Sequence, residues 1–166
     1  MTLPTIRQSY FLIAAACLSM MIAALIMQHF LDMEPCPLCI TQRVFVILAG
    51  LVALIAGIHN TPNLGRKLYS SLGILVSLIG GGVSARHVWL QNLPEDQVPT
   101  CGPGIGYMFD ALPFTEALSL LFAGDGNCAE ESWRFLGLTI PGWTLLCFLG
   151  LAAVFVWQLF RKPDAV

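Results

Sequence analysis

Charged residues are sparse along this chain, and their positions divide it into four long apolar stretches. Positions 8–31 run for 24 residues without a formal charge, 44–65 for 22, 68–85 for 18 and 135–160 for 26. Each approaches or exceeds the roughly 20 residues that a helix needs to cross a ~30 Å hydrocarbon core. Pro141-Gly142 shortens the last run and moves its start to an interface near Trp143. The third run is the shortest, but Arg86 and His87 at its end can snorkel. The pattern predicts an all-α membrane protein, a four-transmembrane-helix bundle forming one integral membrane domain over 1–166. Its spans are expected at about 9–29, 44–60, 68–86 and 142–160, with loops at about 30–43 and 87–140.

The first run has a second reading as a cleaved signal peptide, with Arg7 as its basic start and AAAC at 14–17. The apolar stretch continues for 14 residues beyond Cys17, whereas the apolar region of a signal peptide spans about 7–15. An uncleaved anchor is therefore expected.

Composition agrees with a lipid-facing surface. The chain is 57% hydrophobic and 11% charged, against roughly a quarter charged in soluble domains. A net charge of −2 supplies no basic surface for nucleic acid. The distribution of charge sets the orientation. The N-terminus, the 60–67 connection and the C-terminal tail hold Arg7, Arg66, Lys67, Arg161 and Lys162 against one acid, Asp164. The two remaining loops hold nine of the ten acids and only Arg43, Arg86 and Arg134. Short basic segments stay cytoplasmic, so both termini are expected inside and both acidic loops outside.

This orientation gives the cysteines their meaning. Cys17 and Cys147 fall within spans, where a cysteine ordinarily packs as a small apolar residue. Cys36, Cys39, Cys101 and Cys128 all fall in the outward loops, and in an oxidising compartment they read as two thiol pairs. A four-sulfur zinc site is the competing reading. Structural zinc sites ordinarily bring paired knuckles, whereas Cys101 and Cys128 lie 27 positions apart and His29, His59 and His87 are scattered. No resident metal is expected.

In the first outward loop, EPCPLCITQR (34–43) places prolines on both sides of Cys36 and starts the second helix near Cys39 or Ile40. A sulfur at a helix N-terminus meets the positive end of the macrodipole, which favours the thiolate. Arg43 follows Cys39 by four residues, on the same helical face. A guanidinium keeps its proton and is costly at the membrane boundary without an anion. Cys39 is the nearest candidate; snorkelling to headgroups is the alternative. In the second loop, PEDQVPTCGPGIGY is rich in turn formers around Cys101. PFTEALSLLFAG then places Thr115, Glu116 and Ser119 on one helical face. It is too short to span, and is expected as an amphipathic helix in the membrane plane, with a small loop core as the alternative. WRFLGLTIPGW re-enters the bilayer with two interfacial tryptophans.

Two outward dithiol pairs imply electrons passing between them by thiolate attack on a disulfide. No haem, flavin or nucleotide motif is present to take the electrons onward, and the glycines at 80–82 suit close helix packing instead. By elimination the acceptor is a lipid-soluble quinone reached at Cys39.

CPLCITQR resembles the C-x-x-C-x-x-x-R signature of the disulfide bond formation protein B (DsbB) family, and RHVWLQ (86–91) and CAEESWRFLGLTIPGW (128–143) are similar to further segments of it. The resemblance implies a thiol:quinone oxidoreductase of the bacterial inner membrane, with catalytic Cys36, Cys39, Cys101 and Cys128. A periplasmic DsbA-type thioredoxin-fold oxidase would attack the Cys101–Cys128 disulfide at Cys101. Cys128 would then attack Cys36 and release Cys39 as a thiolate. Stabilised by Arg43, that thiolate would donate to ubiquinone (or menaquinone), and His87 matches the family's quinone-site histidine. Pro37 within the C-x-x-C and the glycines after Cys101 are where this chain departs from the family. The rival readings are a membrane thiol-reductant conduit using Cys17 and Cys147, a vitamin K epoxide reductase-like protein, and a non-enzymatic scaffold stapled by disulfides.

Overall fold

The computed structural model describes residues 4–60, 63–99, 113–124, 126–129 and 133–161. It contains α1 (Ile6–Phe30), α2 (Pro37–His59), α3 (Asn63–Gln91), α4 (Phe114–Ala123) and α5 (Ile140–Phe160), with a hairpin of β1 (Arg134–Phe135) and β2 (Leu138–Thr139) ahead of α5. Helices α1, α2, α3 and α5 are long and apolar enough to cross a membrane, which gives the expected four-helix membrane bundle. The short helix expected after Pro113 forms as α4, with Thr115, Glu116 and Ser119 exposed.

Two helices exceed the charge-free runs that announced them. Helix α2 (Pro37–His59) begins upstream of the charge-free run at 44–65, and α3 (Asn63–Gln91) extends beyond both ends of the run at 68–85. Runs without charge measure what lipid tolerates, whereas a helix continues until its end groups are capped. Cys36 is the N-cap of α2 and Pro37 its first residue, a position where the missing proline N–H has no cost. The helix therefore starts two to three residues before the Cys39 or Ile40 expected from sequence. At the other end Asn60 adopts a left-handed conformation, φ 41°, and returns its N–H to Ala56 O at 3.0 Å. Helix α1 is opened by a reciprocal capping box between Thr5 and Gln8.

The tightest packing joins α3 to α5. Ser70, Gly73, Ser77, Gly80, Ser84 and His87 alternate in steps of three and four along α3, and all six are buried. This is the spacing of a supercoiled helix seam. Facing them on α5 are Phe148, Leu151, Phe155 and Gln158, with the same spacing and also buried. A β-carbon at Gly80 would come within 2.5 Å of the Phe148 ring and 2.9 Å of Phe45 Cβ, and one at Gly73 would collide with the Phe155 ring. Two rings thus sit in two holes made by missing side chains. Ser77 Oγ has no hydrogen-bond partner among the described residues, so small volume rather than polarity selects serine at that position. Lipid offers helices no hydrophobic drive to associate, and such van der Waals fit replaces it.

The remaining helices wrap around this seam. Helix α1 packs on α2 and α2 on α3, whereas α1 and α5 make little direct contact. Cys17, 2% exposed, packs against Gly50 of α2, as a structural cysteine should. Leu18, Ile26, Ile47, Leu75 and Leu149 point outward, which suits acyl chains. One end of the bundle gathers the chain start, the α2–α3 connection and the end of α5. There Tyr10 Oη bonds Ser70 Oγ at 2.8 Å, Arg66 donates to the Arg161 carbonyl, and Arg161 donates to Ser9 Oγ. Cys36, α4, Cys128 and the hairpin lie at the opposite end.

The seam predicts a contrast between neighbouring glycines. Gly80→Ala should lower stability by about 1–3 kcal/mol through overpacking. Gly82→Ala, which meets nothing within 4 Å, should stay within about 0.5 kcal/mol of the parent. Thermal unfolding in detergent, followed by circular dichroism, separates them; equal midpoints would refute the close-packed seam.

Candidate functional site

The first turn of α2 organises the sulfur chemistry. Because Cys36 caps the helix, its Sγ turns back over the turn and accepts the Cys39 N–H at 3.4 Å. The same geometry brings Cys36 Sγ to 3.2 Å from Cys39 Sγ, with the Cys36 thiol as donor. The turn is buried: Leu38 is fully enclosed and Cys36 is 9% exposed.

Cys128 reaches this turn through two close approaches. Gly124 ends α4 at φ 75° and lies over Leu38 and Leu90, where a β-carbon would come within 2.7 Å of Leu90 Cδ1 and 2.8 Å of Leu38 Cδ1. Only glycine supplies both the left-handed backbone and the clearance. Arg86 stacks on Trp89 and donates to the Ala123 carbonyl at 3.3 Å, satisfying an orphan acceptor at the helix C-terminus. The chain then turns through Gly126–Cys128 and buries Cys128 completely. Cys36 Sγ, Cys128 Sγ and a ring nitrogen of His87 all lie within 4.8 Å of one another, walled by Leu38, Val83 and Leu90.

His87 is 2% exposed, so it does not snorkel: it ends the α3 seam inside the sulfur cluster. Its Nε2 is 3.1 Å from the Cys128 carbonyl and 3.7 Å from Cys36 Sγ, and its Nδ1 is 3.2 Å from Gln42 Nε2. A carbonyl oxygen can only accept, so Nε2 carries the hydrogen. In the neutral ring Nδ1 is then the acceptor, and the Gln42 amide must donate to it. The two partners fix one tautomer between them. Hydrogen bonding of the Cys36 thiol to Cys128 first and then to Cys39, together with burial, pushes its pKa above the ordinary thiol value. In the reduced pair the proton therefore stays on Cys36.

A cavity of about 400 Å³ opens between α1 and α5 at the same end. Cys39, Gln42 and Arg43 line one side, with Met20, Met27, Cys147 and Thr144 along the helices and Trp133, Phe135 and Trp143 at the mouth. The hairpin positions these aromatics. Leu136 and Gly137 both take positive φ, 51° and 83°, as a two-residue hairpin turn requires. Trp133 stacks on Phe135 at 5.5 Å, and Trp143 Nε1 donates to the Phe135 carbonyl at 3.1 Å.

The residues singled out from sequence thus separate. Cys36, Cys39, Cys128 and His87 come together; Cys101 lies outside the described residues. Arg43 lines the cavity, but its guanidinium donates to Gln28 Oε1 and the Ala24 carbonyl of α1. Oxygen acceptors on a neighbouring helix hold the charge expected to pair with Cys39. His87 contacts sulfur and the Cys128 backbone rather than the cavity wall, because Gln42 stands between them. Cys147, expected only to pack, lines the cavity. Sequence reasoning passed over Gln42 and Gln28. Gln28 is an amide near the end of the first apolar run, and Gln42 stands beside Arg43 in the C-x-x-C segment.

Four membrane-length helices with a buried thiol cluster at one end define a polytopic membrane protein built around cysteine chemistry. Comparison with known proteins makes this specific. The model of the family described as "Disulfide bond formation protein DsbB" matches residues 6–158, and the chain belongs to that family. It is 61% identical to disulfide bond formation protein B of Saccharophagus degradans over 160 residues, 96% of each chain. Against the proteins of the same name from Nitrosococcus oceani and Hahella chejuensis, identity is 51% and 48%. Those matches cover 95% and 96% of this chain and 93% and 96% of the relatives. The family assigns the protein to disulfide bond formation.

Gln42→Glu should exchange the donor facing Nδ1 for an acceptor, so that Nδ1 gains a hydrogen while Nε2–H stays on the Cys128 carbonyl. Ring ¹⁵N chemical shifts of labelled histidine read this directly. A His87 spectrum unchanged by the substitution would show that Gln42 does not set the tautomer.

Proposed function

We propose that this protein is a thiol:quinone oxidoreductase of the bacterial inner membrane, with cytoplasmic termini and its thiol end in the periplasm. There it reoxidises a DsbA-type thioredoxin-fold oxidase and sustains disulfide formation in other proteins. The supporting observation is serial order. Cys128 neighbours Cys36, Cys36 contacts Cys39, and of these only Cys39 lines the cavity.

In this reading a thiolate of the reduced partner attacks Cys101 of a Cys101–Cys128 disulfide. The partner's second thiol closes its own disulfide, leaving two thiols in the loop. Cys128 thiolate then attacks Cys36 of a Cys36–Cys39 disulfide, forming Cys128–Cys36 and expelling Cys39 as a thiolate. Attack of Cys101 on Cys128 restores the loop disulfide and frees Cys36. The two electrons now reside in Cys36 and Cys39, and the proton retained by Cys36 leaves the charge on Cys39, beside the cavity. Attack on Cys36 rather than Cys39 follows from position, since Cys36 stands between the other two sulfurs.

The cavity fits a quinone ring. Its size lies within the usual range for small-molecule sites, its walls are apolar and aromatic, and Arg43, Gln42 and Thr144 offer polar groups for carbonyl oxygens. A membrane quinone bound there, ubiquinone or menaquinone, supplies the two-electron, two-proton acceptor. Gln28 and Ala24 engage two of the five N–H donors of Arg43 and hold the remainder at the cavity. The excess of basic residues at the terminal end, with acids at the thiol end, supports the orientation.

Reconstitution with a quinone and a reduced periplasmic dithiol protein tests the proposal through quinone absorbance. Cys39→Ala should abolish turnover and Cys17→Ala should leave it at the parental rate. Arg43→Leu should raise the quinone KM about 10- to 100-fold, the equivalent of a hydrogen bond to a charged group. Turnover lost with Cys17 and kept without Cys39 would replace this reading with the reductant conduit.

A further inference from the structure

We infer that Cys36, Cys128 and His87 form a binding site for a soft divalent cation of the zinc and cadmium class, available only while both sulfurs are reduced. The spacing of the cysteines along the chain spoke against a resident zinc, and the fold changes the donor set by adding a buried histidine. A tetrahedral ion with bonds of roughly 2.3 Å to sulfur and 2.0 Å to nitrogen needs ligand atoms roughly 3.5–3.8 Å apart. Cys36 Sγ and His87 Nε2 are 3.7 Å apart, and all three ligand atoms fall within 4.8 Å of one another. Small side-chain adjustments complete the geometry.

Three further features favour occupancy. Cys39 Sγ, 3.2 Å from Cys36 Sγ, can supply a fourth ligand from the same helical turn. Gln42 faces His87 Nδ1. After a flip of its amide it accepts an Nδ1–H, leaving Nε2 to ligate, which is the outer-shell support that ligating histidines usually have. The surroundings, Leu38, Val83 and Leu90, are apolar; the thiolates of Cys36 and Cys128 neutralise the double charge of the ion, and a Cys39 thiolate adds one negative charge on the side of the cavity that Arg43 also lines. Binding replaces the His87–Cys128 carbonyl hydrogen bond and releases two thiol protons without any change of oxidation state. A disulfide at Cys36 or at Cys128 removes a ligand, so the oxidised protein is protected. The predicted arrest of turnover by the ion rests on the relay proposed above; the site itself does not.

The full-length protein in detergent, reduced with a phosphine and titrated with Cd²⁺ alone, should show a thiolate-to-cadmium charge-transfer band saturating at one ion per chain. His87→Gln and Cys128→Ser should each weaken binding at least about 10-fold. His87→Cys should restore it, which distinguishes a lost ligand from a damaged fold. His29→Gln, His59→Gln and Cys17→Ala should bind like the parent, and diamide-oxidised protein should give no band. Parental affinity in both His87→Gln and Cys128→Ser would assign any binding to the C-x-x-C alone and overturn the site. A failure of His87→Cys to recover binding would do the same. In the quinone assay Zn²⁺ should stop turnover and a chelator should restore it. Ligand-dependent Cd²⁺ binding in a protein with no quinone turnover would leave the site standing and remove the relay instead.

Discussion

The close approach of α3 and α5 is the constraint on which the site depends. Gly73 and Gly80 open two holes that Phe155 and Phe148 fill, and His87 occupies the next heptad position along the same face. A side chain that the seam buries at the end of α3 has nowhere to go but inward. The imidazole is thereby delivered to the first turn of α2, where Gln42 and the Cys128 carbonyl meet its two nitrogens. The packing that replaces hydrophobic association in lipid therefore also aims a buried imidazole at the sulfurs.

At that end the protein separates two environments a few ångströms apart. Cys36 and Cys128 are enclosed among Leu38, Val83 and Leu90, where an unpaired charge is costly. Cys39 faces a cavity that also contains Arg43. Hydrogen bonding to Cys128 and Cys39, together with burial, keeps the proton of the reduced pair on the enclosed Cys36. The Gln28 and Ala24 acceptors hold Arg43 at the cavity wall. A cluster that brings two sulfurs and an imidazole within 4.8 Å of one another is also dense enough to attract a soft cation.

Much of this was legible along the chain. Charge-free runs located four helices because lipid excludes charge strongly, and Cys36, Cys39 and Arg43 stand out in a motif whose spacing is one helical turn. The hairpin at 134–139 was missed because Leu136-Gly137 carries only half of the usual turn signal. The start of α2 was placed two to three residues late, at Cys39 or Ile40, although Pro37 is itself a helix-initiating residue. Gln42 and Gln28 looked like ordinary polar interruptions, since nothing in a linear sequence tells which partner an amide will meet.

The sequence alone settled the solvent, the number of long helices, the end of the bundle at which reactive thiols collect and the residue types available to them. These follow from local rules: transfer of apolar side chains into lipid, the 3.6-residue turn and the chemistry of each side chain. Only the tertiary structure decided that Cys36 stands between Cys128 and Cys39, that His87 serves sulfur rather than the cavity, and that Arg43 leans on α1. Those facts depend on contacts between residues 15 to 92 positions apart. Such contacts are set by how helices with small residues at their seams fit together, a property of paired surfaces that no single stretch of chain contains.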